Sequence, residues 1–321
     1  MIYALAITGP TASGKTSLSL DIAKALGCEI ISCDSMQIYR GMDIGTAKAN
    51  AEERASVPHH MIDILDPGEQ FSAKAYRNMA MECVKRIAER GKIPLFVGGT
   101  GLYLATVMRS ECEEAPESDP NYRKHIEDVL VTEDDKLRLW ERLNKVDPIS
   151  ANLIHYNNTR RVIRALEIFD ATGKPKSYFD ALSQLPNSEI KVIHITLGFH
   201  ERINLYNRTD ARVHAMIESG LIEEIDALLE AGLLKDDSTA AQAIGYKEII
   251  RAKLGLVSLA QAIEELKQAT RNYAKRQLTW FRHDESAQRV YVDNENGDMR
   301  CSEEVFAECL GIFKSALSEN I

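Results

Sequence analysis

The stretch "AITGPTASGKTSLSL" (6–20) decides the fold. It sets Gly9, Gly14, Lys15 and Thr16 in the spacing G-x-x-x-x-G-K-[ST], after an apolar run that reads as a buried strand and before a helix expected from about Lys15 to Leu26. Such a turn curls Gly9, Pro10, Thr11, Ala12, Ser13, Gly14, Lys15 and Thr16 around one point at the helix N-terminus. Backbone N–H groups and the helix dipole favour an anion there. Lys15 reaches an outer phosphate, and the Thr16 hydroxyl is a candidate Mg²⁺ ligand. By composition these four positions match by accident in about one chain of this length in a hundred. The spacing does not name the phosphate's owner, because kinases, hydrolases and transferases share this loop.

Working outward, "EIISCDS" (29–35) reads as a second strand that ends at Asp34. The carboxyl ends of such strands face the ligand crevice. A carboxylate there can ligate Mg²⁺ through water, take a proton from a nucleophile, or merely cap the next turn. A helix is expected over 72–90, with Ser72 as its N-cap and Gly91 past its end. "IPLFV" (93–97) is a third strand, and "GGTG" (98–101) stops it. Gly98 stands where an NTP-hydrolysing machine would carry an Mg²⁺-binding Asp, which speaks against an ATPase without excluding a kinase. Those glycines allow close backbone approach, and Thr100 adds a hydroxyl. Strands alternating with helices imply an α/β fold, a P-loop-type parallel sheet flanked by helices.

From 112 to 188 amphipathic helices follow one another, the last ending at Gly173. "IKVIHITLG" (190–198) then returns to a core strand, with helices to about 281 and a weak strand near "QRVYV". The expected organisation is an α/β core, 1–111 with 189–321, carrying a helical insertion at 112–188. For 288–310 only packing is expected.

The 321 residues carry a formal net charge of −9, an argument against a polyanionic partner that the segregation of charge weakens. "NNTRRVIR" (157–164) and "TRNYAKRQLTWFR" (270–282) contain no acid, whereas "SECEEAPESD" (110–119) gathers them. The six cysteines, at 28, 33, 83, 112, 301 and 309, show no CxxC and no zinc spacing, as expected of thiols in a reducing cytoplasm. The chain opens directly on a strand-like run without a charged leader, and no apolar run approaches a membrane span. His59 and His60 lack acids or cysteines at ligand spacing, so packing or hydrogen bonding is expected of them.

Taken together, "GPTASGKT" (9–16), "ISCDSMQIYRGMDIGTAK" (31–48), "PHHMIDILDP" (58–67), "FVGGTGLYL" (96–104), "RRVIRALE" (160–167), "AIGYKE" (243–248) and "KRQLTWFR" (275–282) resemble the tRNA dimethylallyltransferase (isopentenyltransferase) family, in family order across nearly the whole chain. The bacterial form is expected, since no zinc-finger extension follows the last motif. The resemblance implies transfer of a dimethylallyl group from dimethylallyl diphosphate to N6 of the adenosine just 3′ of the anticodon (position 37), in tRNAs reading codons that begin with U. The phosphate in the opening stretch would then belong to an isoprenoid diphosphate.

On that reading, loop N–H groups, Lys15 and Thr16-bound Mg²⁺ stabilise the departing diphosphate. Arg208 and Arg212, at i and i+4 on one helix face, clamp it. Asp34 accepts the amine's proton, and Thr100 orients the base, which must leave its stack. The tRNA anticodon stem-loop is expected to meet Asp34, Ser35, Met36, Gln37, Thr100, Arg123, Arg160, Arg161, Arg164, Gly245, Tyr246, Lys247, Lys275, Arg276, Gln277, Trp280 and Arg282, with core packing the competing role for Trp280 and Phe281. Arg271, Lys275 and Arg282 are expected within reach of one helical face. A monomer is expected. The rival readings are prenyl transfer to free AMP, ADP or ATP, a P-loop small-molecule kinase, and a non-catalytic RNA-binding module.

Overall fold

The computed structural model describes residues 1–110, 115–116, 119–182, 185–235 and 238–319; Cys112 and parts of the acidic stretch 110–119 lie outside them. The chain divides into two compact units, Met1–Met108 with Glu189–Ile321, and Arg109–Ser188. The first boundary thus precedes the expected one.

The first unit begins β1 (Ile2–Thr8), α1 (Lys15–Leu26), β2 (Cys28–Ser32), α2 (Ala51–Ser56), β3 (His59–His60), α3 (Ala73–Glu89), β4 (Ile93–Gly98) and α4 (Gly101–Met108). The second unit contributes α5 (Pro120–Glu127), α6 (Glu133–Val146), α7 (Pro148–Leu153), α8 (Thr159–Thr172) and α9 (Lys176–Leu182). The first resumes with β5 (Ile190–Gly198), α10 (Arg202–Glu218), α11 (Leu221–Glu230), α12 (Tyr246–Lys253), α13 (Leu259–Arg282), β6 (Gln288–Tyr291) and α14 (Ser302–Ser318).

The six strands form one sheet in the order β3-β2-β4-β1-β5-β6, with every pairing parallel. β1 is apolar along its length because both faces are covered. Leu5 and Ile7 pack into a core with α1 and α14 residues such as Leu20, Ile22 and Phe313. Ala4 and Ala6 pack into a second core with Tyr76 and Val84 of α3 and Leu104 of α4. The loops after β1, β2 and β4 therefore open together at the carboxyl edge of the sheet's centre. A third core joins Val213, Leu221, Ile225, Tyr246 and Leu266 of α10–α13 to Ile38, Tyr39 and Met42, and seats the long connection after β2.

Local rules hold at several ends. Ser72 accepts from Ala75 N at 3.1 Å and caps α3. β6 is the edge strand beside β5, and the buried Asp293 after it accepts from His200 N at 2.7 Å and Asn204 Nδ2 at 2.8 Å, tying the start of α10. Packing is thus what this region does.

The second unit is helical among its described residues, apart from an isolated Arg109–Pro186 bridge. Leu143, Ala151, Ile154, Val162 and Leu166 form its core, and Trp140 Nε1 donates to Ile154 O at 2.7 Å. Sequence reading overlooks α7 and α9, of 6 and 7 residues, because so short a helix shows barely one period of apolar spacing.

Candidate active site

A cavity of about 300 Å³ opens at the carboxyl edge of the sheet within the first unit. Lys15, Thr16, Asp34, Arg212, Tyr273 and Arg276 line it.

The glycine-rich loop forms its floor. Gly14 is left-handed at φ 90° and begins α1, and no side chain caps that helix. First-turn N–H groups without a cap are donors awaiting an acceptor. Lys15 Nζ curls back to Pro10 O at 2.6 Å. Burial, then repulsion from Arg212, lowers its pKa to about 7, against the opposing pull of Asp34. Arg212 is also pushed down by burial and held up by Asp34, and its Nη2 donates to Thr46 O at 3.3 Å. Two cations share one carboxylate in a low-dielectric space, an excess of positive charge suited to an anion of more than one negative charge. Arg208, on the same helix face as Arg212, is outside the cavity lining; its Nε donates to Ala12 O at 2.6 Å across the loop.

Asp34 lies two residues beyond β2 rather than within it. Its Oδ1 accepts from Met36 N at 2.9 Å and Gln37 N at 3.4 Å, so this oxygen does cap the turn. Oδ2 has no hydrogen bond among the described residues, and the side chain lines the cavity. Thr100 Oγ1 accepts from Ser35 N at 3.1 Å, and Tyr273 lines the same cavity. That phenol is raised to about 12, by burial first and Asp34 second, and stays neutral. Asp34, Ser35, Thr100 and Tyr273 thus form one polar group. Tyr273 escapes sequence reading because nothing in "RNYAK" separates it from any helical aromatic.

The "GGTG" glycines do permit close approach, and protein fills the space. A Cβ on Gly98 would lie 2.2 Å from Cys33 O, one on Gly99 2.1 Å from Gln277 Nε2, and one on Gly101 2.0 Å from Trp280 Nε1.

Several residues expected to contact RNA also have partners within the protein. Gln277 is buried; its Oε1 accepts from Thr11 N at 2.8 Å and its Nε2 donates to Gly99 O at 3.0 Å, so it braces one glycine loop against the other. Tyr246 is 0% exposed and its hydroxyl donates to Glu224 Oε1 at 2.6 Å. Gly245 is buried and donates its N–H to Glu248 Oε2 at 2.8 Å, which starts α12. Lys247 is half-buried beside Glu248 at 3.5 Å. Arg271 pairs with Asp210 at 2.6 Å. Phe281 is buried, whereas Trp280 stays 43% exposed over Gly101. Lys275, Arg276 and Arg282 are exposed, and Arg276 stands 5.6 Å from the Tyr273 ring centroid.

In the second unit, Arg164 and Arg123 converge on the buried Glu167 at 2.7 and 3.1 Å and neutralise it. A buried carboxylate needs such partners, so these cations serve the unit's own fold. Arg160 and Arg161 remain exposed. His60 Nε2 bonds Glu29 Oε2 at 2.7 Å and His59 Nδ1 bonds Val57 O at 2.8 Å, both internal contacts. Among the described residues no cluster of three His, Cys, Asp or Glu is placed to hold a metal, and no helix is long and apolar enough to cross a membrane.

Comparison with known proteins agrees with this geometry. The family model described as IPP transferase matches residues 37–284. A tRNA dimethylallyltransferase of Thermoanaerobacter sp. strain X514 is 45% identical over 294 residues, covering 91% of this chain and 93% of the relative. The crystal structure of a full-length tRNA isopentenylpyrophosphate transferase from Bacillus halodurans superposes with a TM-score of 0.72 at 41% identity, covering 99% of this chain and 98% of that one. A eukaryotic dimethylallyltransferase acting on tRNA gives 0.75 at 29% identity, covering 91% and 74%.

Proposed function

The chain belongs to the IPP transferase family, and from that premise we propose that it transfers a dimethylallyl group from dimethylallyl diphosphate to N6 of adenosine 37, in tRNAs that read codons beginning with U. The observation that carries this reading is one cavity holding Lys15, Arg212 and an uncapped helix N-terminus together with Asp34.

The chemistry follows from those groups. The allylic C–O bond breaks and its electron pair leaves with the diphosphate, whose growing charge the α1 N–H groups, Lys15 and Arg212 stabilise. N6 of adenine forms the new bond to the allylic carbon. Its lone pair is delocalised into the ring, so a carboxylate that accepts its proton assists, and Asp34 Oδ2 is that acceptor. Thr100 and the neutral Tyr273 orient the base or the proton. Thr16, which lines the cavity, would hold a Mg²⁺ ion together with the substrate's phosphates, a donor set that Mg²⁺ favours over an all-protein cage, and the ion would supply charge neutralisation. Lys275, Arg276, Trp280 and Arg282 of α13 with Ser35 and Met36 of the β2 loop offer an RNA loop cations and a stacking surface, and Arg160 and Arg161 of α8 are exposed cations of the second unit. The protein acts as a monomer in the cytoplasm.

The test uses labelled dimethylallyl diphosphate, Mg²⁺ and an unmodified anticodon stem-loop, run beside the same loop with its target adenosine replaced by guanosine and beside free AMP. Label in the adenosine loop alone supports the reading. Label in AMP but not RNA moves the protein to mononucleotide prenylation, and transfer to neither overturns it.

A further inference from the structure

The carboxylate of Glu224 on α11 is remote in sequence from every motif read above, yet it is the best-bonded acceptor near the cavity. Its Oε2 accepts from Asp43 N at 2.8 Å and Ile44 N at 2.7 Å. Its Oε1 accepts from Gly45 N at 3.2 Å and from the Tyr246 hydroxyl at 2.6 Å. Three successive backbone N–H groups around one carboxylate make a nest, an arrangement that otherwise binds free anions. Here the protein supplies the anion itself.

What the nest presents on its other side matters for the reaction. Gly45, Thr46 and Ala47 line the cavity. The Thr46 carbonyl takes the Arg212 guanidinium at 3.3 Å and Gln37 Nε2 at 3.3 Å, and Ala47 O takes Gln37 Nε2 at 3.4 Å. Gln37 in turn donates its backbone N–H to Asp34 Oδ1 and accepts from Ser32 Oγ at 2.9 Å. Tyr246 completes the seating, because a Cβ on Gly45 would lie 2.5 Å from its ring. Lys48 Nζ, bonded to Tyr39 O at 2.8 Å and to Asp43 Oδ1 and Asp63 Oδ1 at 2.6 Å, anchors the far end of the loop.

We propose that Glu224 is a positioning residue for prenyl transfer: by filling the nest at 43–45 it holds the Thr46 carbonyl where it aims Arg212 at the diphosphate. Arg212 touches substrate on the proposed mechanism; Glu224 acts only through it. The inference rests on the diphosphate-transfer reading above.

Steady-state transfer is measured for the wild type, Glu224→Gln, Arg212→Ala and the double variant, varying dimethylallyl diphosphate and stem-loop RNA separately. Glu224→Gln keeps the side chain's size but turns one acceptor into a donor facing an N–H group. Its KM for the diphosphate is expected to rise about tenfold, with the KM for RNA within about twofold and the rate restored at high diphosphate. In the Arg212→Ala background the same change is expected to add almost nothing. A wild-type enzyme that transfers no label sinks the functional reading itself. An active wild type with an unaltered diphosphate KM in Glu224→Gln, equal rises in both KM values, or additive effects in the double variant overturns the role of Glu224. If Glu224→Gln does not fold, Glu224→Asp, which keeps the charge but draws the carboxylate back from the nest, must still raise the diphosphate KM selectively, and its failure to do so overturns the proposal.

Discussion

Two glycine loops follow adjacent strands of the same sheet, residues 9–14 after β1 and 98–101 after β4; both reach the cavity and both meet protein closely, Gly9 at Leu197, but they differ in what lies beyond the glycines. The first ends in a helix without a cap, with Lys15 and Arg212 beside it and its depressed lysine pKa as the electrostatic signature. The second is filled by the protein's own groups, the Cys33 carbonyl, the Gln277 amide and the Trp280 indole. Glycine announces that something approaches the backbone closely; it does not say whether that is a ligand or another part of the chain. Gln277 joins the two by bonding both, so the second loop shapes the first.

The contrast can be broken by substitution. Lys15→Ala removes a charge from the open loop. A loss of about 10²–10³ in kcat/KM for the prenyl diphosphate is expected, the scale for deleting one stabilising donor, with little change in Tm; steady-state kinetics beside thermal unfolding check it. A large Tm drop instead would make the first loop structural like the second. Gly101→Ala places a methyl against the Trp280 ring, and overpacking of this kind costs about 1–3 kcal/mol. A lower Tm is expected, recovered in the Gly101→Ala, Trp280→Ala double variant. If Tm holds and only activity falls, the second loop belongs to the ligand after all.

Gln277→Ala strands Thr11 N–H and Gly99 C=O, at about 1–3 kcal/mol for unsatisfied buried groups. It is expected to lower Tm and raise the diphosphate KM together, and a change in only one would show that the brace does not couple the loops. The smallest effect is a pH dependence. Burial lowers the Lys15 pKa to about 7, so the free enzyme loses that cation as pH rises through 7. The diphosphate affinity is expected to fall above that pH, by at most about tenfold per unit, and the slope should vanish in Lys15→Ala. Isothermal titration across pH reads it directly.

The sheet was legible because its signals are local. An apolar run before a glycine turn, a capping Ser72 and the unbroken run at 190–198 each decide their own element. Lys15 and Asp34 were legible because spacing and strand ends place them. The internal partners that sequence reading did not reveal share a cause. Gln277, Tyr246 and Arg271 look like surface polar groups, and each is spent on a partner far along the chain, namely Gly99, Glu224 and Asp210, while Arg164 pairs with the buried Glu167 one helical turn on, which Arg123 joins from another helix. A cation is free for RNA only if no carboxylate has claimed it, and that depends on tertiary packing. Glu224 was invisible for the same reason, since three of its four partners are backbone N–H groups without side-chain identity.

The central claim is that Asp34 takes the proton from the acceptor amine in the cavity that holds the diphosphate. A single-turnover measurement with Asp34→Asn, prebound to stem-loop RNA and saturated with labelled dimethylallyl diphosphate, tests it most directly. The account predicts a transfer rate lower by about 10²–10⁴, the range for losing a general base, with both substrates still bound. A rate within a few-fold of wild type would contradict it and leave Asp34 only as the cap of its turn.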